Sequence, residues 1–339
     1  MQLSDFRFPF DPTLVATHPV HPRDRARLLV VSRGTSQFAH QHIQDLPDIL
    51  RPGDVLVVND TKVIPARLWG KKVPTGGKVE LLFIRQLDEQ HVEVLMNGKV
   101  GVGQSVDCPG GGTAQVVEKY TGKTVIRWHG PHSFQDCLKQ YGEVPLPPYL
   151  KRQPLPEDQE HYQTVFAEKE GAIAAPTAGL HFTSELLARL AGQGIQMVTL
   201  TLHVGPGTFL PVKTSEVEAH VMHPEWFQVS EQAVRTIREA KQAGGRIVAV
   251  GTTAARSLES AVDASGNLVP QSGETRLFII PGFHFQVVDV LLTNFHFPET
   301  TLLMLVAAFA GIDLARGAYE LAVKERYRFY SYGDAMLID

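Results

Sequence analysis

The strongest constraint in this sequence is a change of rhythm along the chain. From residue 171 onward it repeats an apolar run, a polar loop and an amphipathic segment, several times over. Residues 171–175 (GAIAA) run into the loop PTAGLHF, and Thr183 then caps a helix, SELLARLAGQG, stopped by Gly192 and Gly194. Residues 195–203 form a long apolar run followed by GPGTF. Ser230 caps the next helix, EQAVRTIREAKQAGG, whose closing glycines introduce a strand at 246–250. A further strand at 287–293 ends in NFHFP, and Pro298 is expected to start a helix with Glu299 in its first turn. Strands and helices in alternation call for a parallel or mixed sheet with helices on both faces, a three-layer α/β body.

Two earlier segments differ. Residues 21–67 hold two strand-like runs, 27–32 and 54–59. Between Leu68 and Pro148 come short alternating segments at 78–85, 91–96, 113–117 and 123–128, separated by turns at Gly76-Gly77, Asn97-Gly98, 110–112 and Thr121-Gly122. Many short strands at this spacing indicate a small antiparallel barrel or sandwich. The proline-rich stretch EVPLPPYLKR (143–152) closes it as a stiff linker. The expected organisation is an α/β domain built from 1–67 and 152–339, carrying an inserted β-barrel domain at 68–151.

Composition excludes several classes. The 339 residues carry 32 Lys and Arg against 36 Asp and Glu, a net charge of -4, so the chain is not a strongly basic coat for nucleic acid. Cys108 and Cys137 are too few for a disulfide framework or a paired zinc knuckle. The N-terminus, with Asp5 and Arg7 among its apolar residues, shows no signal-peptide core. The apolar run 302–312 is far short of the roughly 18 residues of a membrane span. A soluble cytoplasmic protein is expected.

In open α/β sheets ligands bind where strands end, because loops carry the reactive groups there and helix N-termini offer backbone donors. Four loops match: PTAGLHF (176–182), HVGPGTF (203–209), GTTAARSLES (251–260) and TNFHFP (293–298). His181, His203 and His296 each occupy a strand end and could converge on one pocket; singly, each is as well explained by a bond to a nearby carbonyl. GPGTF lacks the GxGxxG spacing of a dinucleotide fold. Thr252 and Thr253 open a helix and suit an anionic ligand, or serve as simple caps. Arg256 and Glu259, three apart, are expected to pair on the helix surface. Asn59, Asp60, Thr61 and Lys62 follow an apolar strand, where a ribose-binding role competes with an ordinary turn. His129/His132 and His220/His223 lack helical i,i+4 spacing and neighbouring ligands, so no metal site is expected. No GxSxG elbow supports a serine hydrolase.

Charge is segregated along the chain. Residues 21–85 contain eleven Lys and Arg against six Asp and Glu, a local +5 that leaves -9 for the remainder. Arg23, Arg25, Arg27, Lys62, Arg67, Lys71, Lys72 and Lys78 are therefore candidates for phosphate contact, against the alternative of a solvated basic face.

The ordered motifs PRDRARLLV, LRPGDVLVVNDTKVIPARL, GEVPLPPYLKR, HYQTVFA, AAPTAGLHFT, HVGPGTF, VGTTAARSLES, LLTNFHFPETTLLMLVAAFAG and RFYSYGDAMLI run from about Pro22 to Ile338. Together they resemble the S-adenosylmethionine:tRNA ribosyltransferase-isomerase family of queuosine biosynthesis. The resemblance implies an α/β domain carrying a β-barrel. It also implies transfer and isomerisation of the ribosyl part of S-adenosylmethionine onto 7-aminomethyl-7-deazaguanine at the tRNA wobble position, giving epoxyqueuosine, adenine and methionine. The cosubstrate is then consumed and no cofactor is implied. The RNA partners would be aspartate-, asparagine-, histidine- and tyrosine-accepting tRNAs, and the enzyme a monomer. Pro206 stands where the family usually has alanine, and Ala254-Ala255 where it has Ser-Val, which removes any catalytic role from position 254. Residues 97–107 match only loosely, so no barrel contacts to RNA are carried over.

On this basis His181, His203 and His296 are the candidates for proton transfer. Thr177 and the Gly179 backbone, Gly205, Gly207 and Asn294 would orient substrate. Thr252, Thr253 and Arg256 would hold the methionine carboxylate, Asn59 and Thr61 the ribose or base, and Arg23, Arg25 and Lys62 tRNA phosphates. Two alternatives use the same features: an S-adenosylmethionine-dependent tRNA methyltransferase, disfavoured by the absence of a GxGxG-type loop after the first strand, and a noncatalytic RNA-binding module, which would not need strand-end histidines.

Overall fold

The computed structural model describes residues 1–120, 122–209 and 212–339, so Thr121, Leu210 and Pro211, together with the side chains of Thr208 and Phe209, lie outside the description. Strand β1 (Arg27–Ser32) pairs antiparallel with the exposed β2 (Gln37–His42) at one margin of a sheet. A single turn of helix, α1 (Leu46–Ile49), leads to β3 (Val55–Asn59), whose VLVVN sequence is buried at every position. That is the pattern of a strand covered on both faces. Strand β4 (Thr61–Val63) then leaves this sheet.

Six strands follow: β5 (Arg67–Lys72), β6 (Lys78–Gln86), β7 (His91–Asn97), β8 (Ser105–Cys108), β9 (Gly112–Tyr120) and β10 (Lys123–His129). They close a barrel in the order β10-β7-β6-β5-β8-β9, every neighbouring pair antiparallel. Inward Leu68, Leu81, Val94, Val106, Ala114 and Ile126 fill it. Gly112 is obligatory, because a Cβ there would lie 2.0 Å from the Trp128 ring. Helix α2 (Phe134–Tyr141), capped by Ser133, plugs the core with Phe134, Cys137 and Leu138.

The chain returns through α3 (Asp158–His161) and β11 (Lys169–Ala172), which pairs parallel with β4 as a separate two-stranded ribbon. Then come α4 (Ser184–Gly192), β12 (Gln196–Leu202), β13 (Glu225–Val229), α5 (Glu231–Gln242), β14 (Ile247–Val250), α6 (Thr252–Ser260), β15 (Gln271–Thr275), β16 (Val290–Asn294), α7 (Thr301–Ala310), α8 (Ile312–Lys324) and β17 (Ala335–Ile338). The nine-stranded sheet runs β15-β13-β12-β3-β14-β16-β17-β1-β2. Alternate residues of its strands face opposite layers: Val55, Val57, Leu200, Ala249 and Leu291 pack with α5, α6, α7 and α8, while Leu56, Val58, Val248 and Leu292 pack with α4.

The mixed three-layer sheet with an all-β barrel is the expected architecture. Three local expectations differ. Residues 171–175 do not enter the main sheet; only the β11 ribbon forms there. The helix after NFHFP begins at Thr301 with Thr300 as its cap, Thr300 Oγ1 accepting from Leu303 N, rather than at Pro298. Strand β13 and the edge strand β15 were not anticipated, because EWFQV and QSGET are only five residues each and QSGET is almost entirely polar. No single helix among the described residues is long and apolar enough to cross a membrane; α7 and α8 meet at 117°.

Candidate functional site at the strand-end edge

Strands β12, β3, β14 and β16 are mutually parallel, so Leu202, Asn59, Val250 and Asn294 end at one edge of the sheet. Strand β17 starts opposite Asn294, and β1 starts beside β17. The loops before β17 and β1 therefore lie on that same edge. All four motif loops, the exit to the barrel and the RFYSYGD segment meet there.

His203 stands just past β12. Its Nδ1 lies 2.8 Å from Thr61 Oγ1, its ring stacks on Trp226 at 5.1 Å, and the ring also covers Gly171. Burial lowers its pKa below the ordinary value, with Asp60 opposing and Lys169 adding to the shift. The ring remains only half-buried. Asp60, itself buried, accepts from Thr201 Oγ1 at 2.6 Å and lies 3.7 Å from Lys169 Nζ. This corner holds a neutral imidazole beside a hydroxyl, a carboxylate and an ammonium.

His181 and His296 are placed differently. Asn294 Nδ2 donates to Tyr330 O at 3.0 Å and to His181 Nε2 at 3.1 Å, while its Oδ1 accepts from Thr177 Oγ1 at 3.2 Å. His296 Nε2 lies 2.9 Å from Thr293 Oγ1, and its backbone N–H donates to Tyr319 Oη. Thr293 and Asn294 are consecutive on β16 and face opposite layers, so these two histidines sit on opposite sides of the sheet. Burial pushes both down to about 3, and Arg328 and Arg23 add to the effect at His181. The expected convergence of three histidines does not occur. His203 is also three strand spacings from β16, about 14 Å at 4.8 Å each.

Other expected site residues are absorbed into the frame. Asn59 pins β3 to β12: Nδ2 donates to Leu202 O, and Oδ1 accepts from Leu202 N and Thr61 N. No polar atom of its side chain is left without a partner for a ribose. Arg256 does not pair with Glu259. It is buried against Glu225, with Nε donating to Leu277 O, while Glu259 accepts from the backbone N–H groups of Gln286, Val287 and Val288. The Gly205 N–H donates to the other oxygen of Glu225 at 3.0 Å, which ties the HVG loop to α6. Arg256 Nη2 and Thr253 Oγ1 are buried without partners, and Thr252 is buried at the start of α6. Cβ atoms on Gly179 or Gly207 would meet Phe166 or His223 at 2.8 and 2.9 Å, so both are packing glycines.

Of the basic segment, Arg23 donates to Gln163 O and Glu160 O, Arg67 pairs with Glu80, Lys62 approaches Glu170 at 3.4 Å, and Arg27 and Lys78 lie over Tyr327 and Trp69. Arg25 and Lys71 are exposed and form no ion pair among the described residues. Sequence reasoning missed Trp226, Arg328 and Tyr330. A signal existed only for Arg328 and Tyr330, within the RFYSYGD motif. Among the described residues no group of three or more His, Cys, Asp or Glu is arranged to hold a metal ion.

A model of the family described as "Queuosine biosynthesis protein" matches residues 3–338. Proteins named S-adenosylmethionine:tRNA ribosyltransferase-isomerase from Pelobacter propionicus and Desulforamulus reducens are 48% and 46% identical, with all of this chain and all of each relative covered. The crystal structure of S-adenosylmethionine tRNA ribosyltransferase from Thermotoga maritima is similar with a TM-score of 0.58 at 36% identity, covering 99% of this chain and 100% of that one. A match along nearly the whole length, through both the sheet and the barrel, places the chain in the queuosine biosynthesis protein family.

Proposed function

We propose that the chain is an S-adenosylmethionine:tRNA ribosyltransferase-isomerase, acting on tRNA with S-adenosylmethionine as second substrate. The observation that carries this is the end-to-end similarity to relatives of that name, at 46–48% identity. The acceptor is 7-aminomethyl-7-deazaguanine at the wobble position of aspartate-, asparagine-, histidine- and tyrosine-accepting tRNAs, and the products are epoxyqueuosine, adenine and methionine. The protein works in the cytoplasm as a monomer. S-adenosylmethionine is consumed, and the reaction needs no resident cofactor or metal.

The sulfonium acidifies the C5′ protons of the cosubstrate. Removing one gives an ylide, from which loss of adenine, attack by the aminomethyl nitrogen and epoxide closure with expulsion of methionine follow. His203 is the base in this scheme. It is the half-buried member of the three strand-end histidines, and its depressed pKa keeps the imidazole neutral and able to accept a proton at neutral pH. Thr61 Oγ1 and Trp226 hold the ring in place. Arg256 and Thr253, each with a buried polar atom lacking a partner, are the groups for the methionine carboxylate.

The test is an incubation of the protein with precursor-bearing tRNA and S-adenosylmethionine, followed by mass identification of the small products. Adenine and methionine are expected. S-adenosylhomocysteine would instead establish a methyltransferase, and an unchanged cosubstrate a noncatalytic RNA-binding module.

A further inference from the structure

A second feature of the strand-end edge lies beyond His203, where the loops before β1 and β17 meet the turn at Thr177–His181. A cleft there is lined by Arg23, His161, His181, Arg328, Ser331 and Tyr332, among others. Its empty volume, mouth included, is about 250 Å³. Nearly all of that is open mouth and almost none is enclosed, so the cleft can meet only the edge of a larger ligand.

The lining is one-sided in charge. Tyr330 O can only accept, so the amide nitrogen of Asn294 must face it, and the same nitrogen donates to His181 Nε2. The ring proton of the neutral imidazole is thereby fixed on Nδ1, making His181 a donor at its remaining nitrogen. Arg23 spends two nitrogens on backbone carbonyls and has no carboxylate within ion-pair distance among the described residues. Arg328 Nη1 donates to His18 O at 3.3 Å, its Nε lies 3.7 Å from Asp334, and its Nη2 is buried with no partner. The Asp334 carboxylate is itself engaged by the Arg27 and Arg328 backbone N–H groups. Two arginines and a histidine with a free ring N–H thus line one small space, and one guanidinium nitrogen there has no partner.

The segment that carries Arg328 is held rigidly. Tyr330 has φ of 72°, a left-handed conformation that a bulky residue adopts only where its surroundings enforce it. Its ring stacks on Phe297 at 3.9 Å and meets Tyr149 edge-on at 4.0 Å. A Cβ on Gly333 would lie 2.5 Å from Arg328 O. The donors are set before any ligand arrives.

We propose that Arg23, His181 and Arg328 form an oxyanion subsite that takes a phosphodiester of the RNA substrate beside the target nucleotide. This rests on the reaction proposed above. The other oxyanion in that reaction, the methionine carboxylate, is five bonds from C5′. At roughly 1.2 Å of extension per bond it reaches about 6 Å, whereas the end of β16, where Asn294 holds His181, is three strand spacings, about 14 Å, from the end of β12. A phosphate of a bound anticodon loop has no such limit. His181 then contributes as a hydrogen-bond donor to the phosphate and leaves proton transfer to His203.

The experiment measures binding separately from turnover, using an anticodon stem-loop RNA and S-adenosylmethionine as probes against the wild type and the Arg328→Gln, Arg328→Lys and Arg23→Gln variants. Melting curves establish that each variant is folded, and two arginine sites guard against one failing. Arg328→Gln and Arg23→Gln are expected to weaken RNA binding about tenfold at 0.1 M salt. The slope of log Kd against log salt should fall by about 0.7–0.9. Arg328→Lys should recover the slope, and binding of S-adenosylmethionine should not move. Loss confined to S-adenosylmethionine would overturn the phosphodiester assignment, as would RNA binding unchanged in both folded glutamine variants. Weakened RNA binding with no adenine released by the wild type would keep the subsite and overturn the reaction. Normal adenine release with unaltered binding would do the reverse.

Discussion

If His203 is the base, its position should depend on a residue with no side chain. A Cβ added at Gly171 would sit 2.8 Å from Cδ2, Cε1 and Nε2 of the His203 ring, well inside the roughly 3.5–4.0 Å of a normal carbon contact. The three equal distances put the methyl over the ring face. Trp226 stacks on the same ring at 5.1 Å, which limits how far the imidazole can move aside. It must slide or tilt by about 1 Å, and the 2.8 Å contact between Nδ1 and Thr61 Oγ1 is then lost. Misplacing a reacting group by about 1 Å costs on the order of 100-fold in rate, or about 2.7 kcal/mol of transition-state stabilisation. Overpacking should also cost about 1–3 kcal/mol of stability. Gly171→Ala is therefore expected to release adenine about 100-fold more slowly in single turnover, with the KM for S-adenosylmethionine little changed. A folded variant releasing adenine within threefold of the wild-type rate would refute the placement of the base.

Three further outcomes follow from named contacts. The single-turnover rate should show one acid limb centred below pH 6.5, because burial lowers the His203 pKa from its ordinary value and the neutral form is the active one; an acid limb centred above 6.5 would count against His203. Asn59→Ala should lower stability by about 3 kcal/mol in denaturant titrations, since it leaves Leu202 N–H, Leu202 C=O and Thr61 N–H without their buried partner. Burial alone would raise the pKa of Asp158, but Arg152, the Leu155 N–H and Tyr332 Oη hold it below 3.8. Its stabilisation is therefore complete above pH 3.8 and lost as pH falls through the lower folded value. Asp158→Asn should cost about 3 kcal/mol at neutral pH, and melting curves should show the gap to wild type narrowing below pH 3.8.

Much of the fold was legible because its determinants are local. The barrel announced itself through glycine turns, and the caps at Thr183 and Ser230 each accept a backbone N–H three residues on, as their residue types require. What failed depended on distant partners. The GAIAA run has the composition of a buried sheet strand, yet it begins in β11, whose partner is β4, over a hundred residues earlier. Arg256 pairs with Glu225, 31 residues away across two elements, where spacing on α6 suggested Glu259.

The strand-end histidines show why the site was harder to read than the fold. His181, His203 and His296 look equivalent as residues in loops after apolar strands, and that equivalence suggested a single pocket. The pleat decides otherwise. Thr293 and Asn294 are neighbours in sequence but face opposite layers, so the histidine each one holds is committed to a different side of the sheet, buried and neutral. Of the three, only the imidazole at the end of β12, where the neighbouring strand β13 brings Trp226 across and β11 contributes a glycine, is left half-buried. A residue becomes available for chemistry here through what its neighbours leave uncovered. At the end of β16 the other two histidines are instead closed in by what they hold, an amide at His181 and a hydroxyl and a tyrosine at His296.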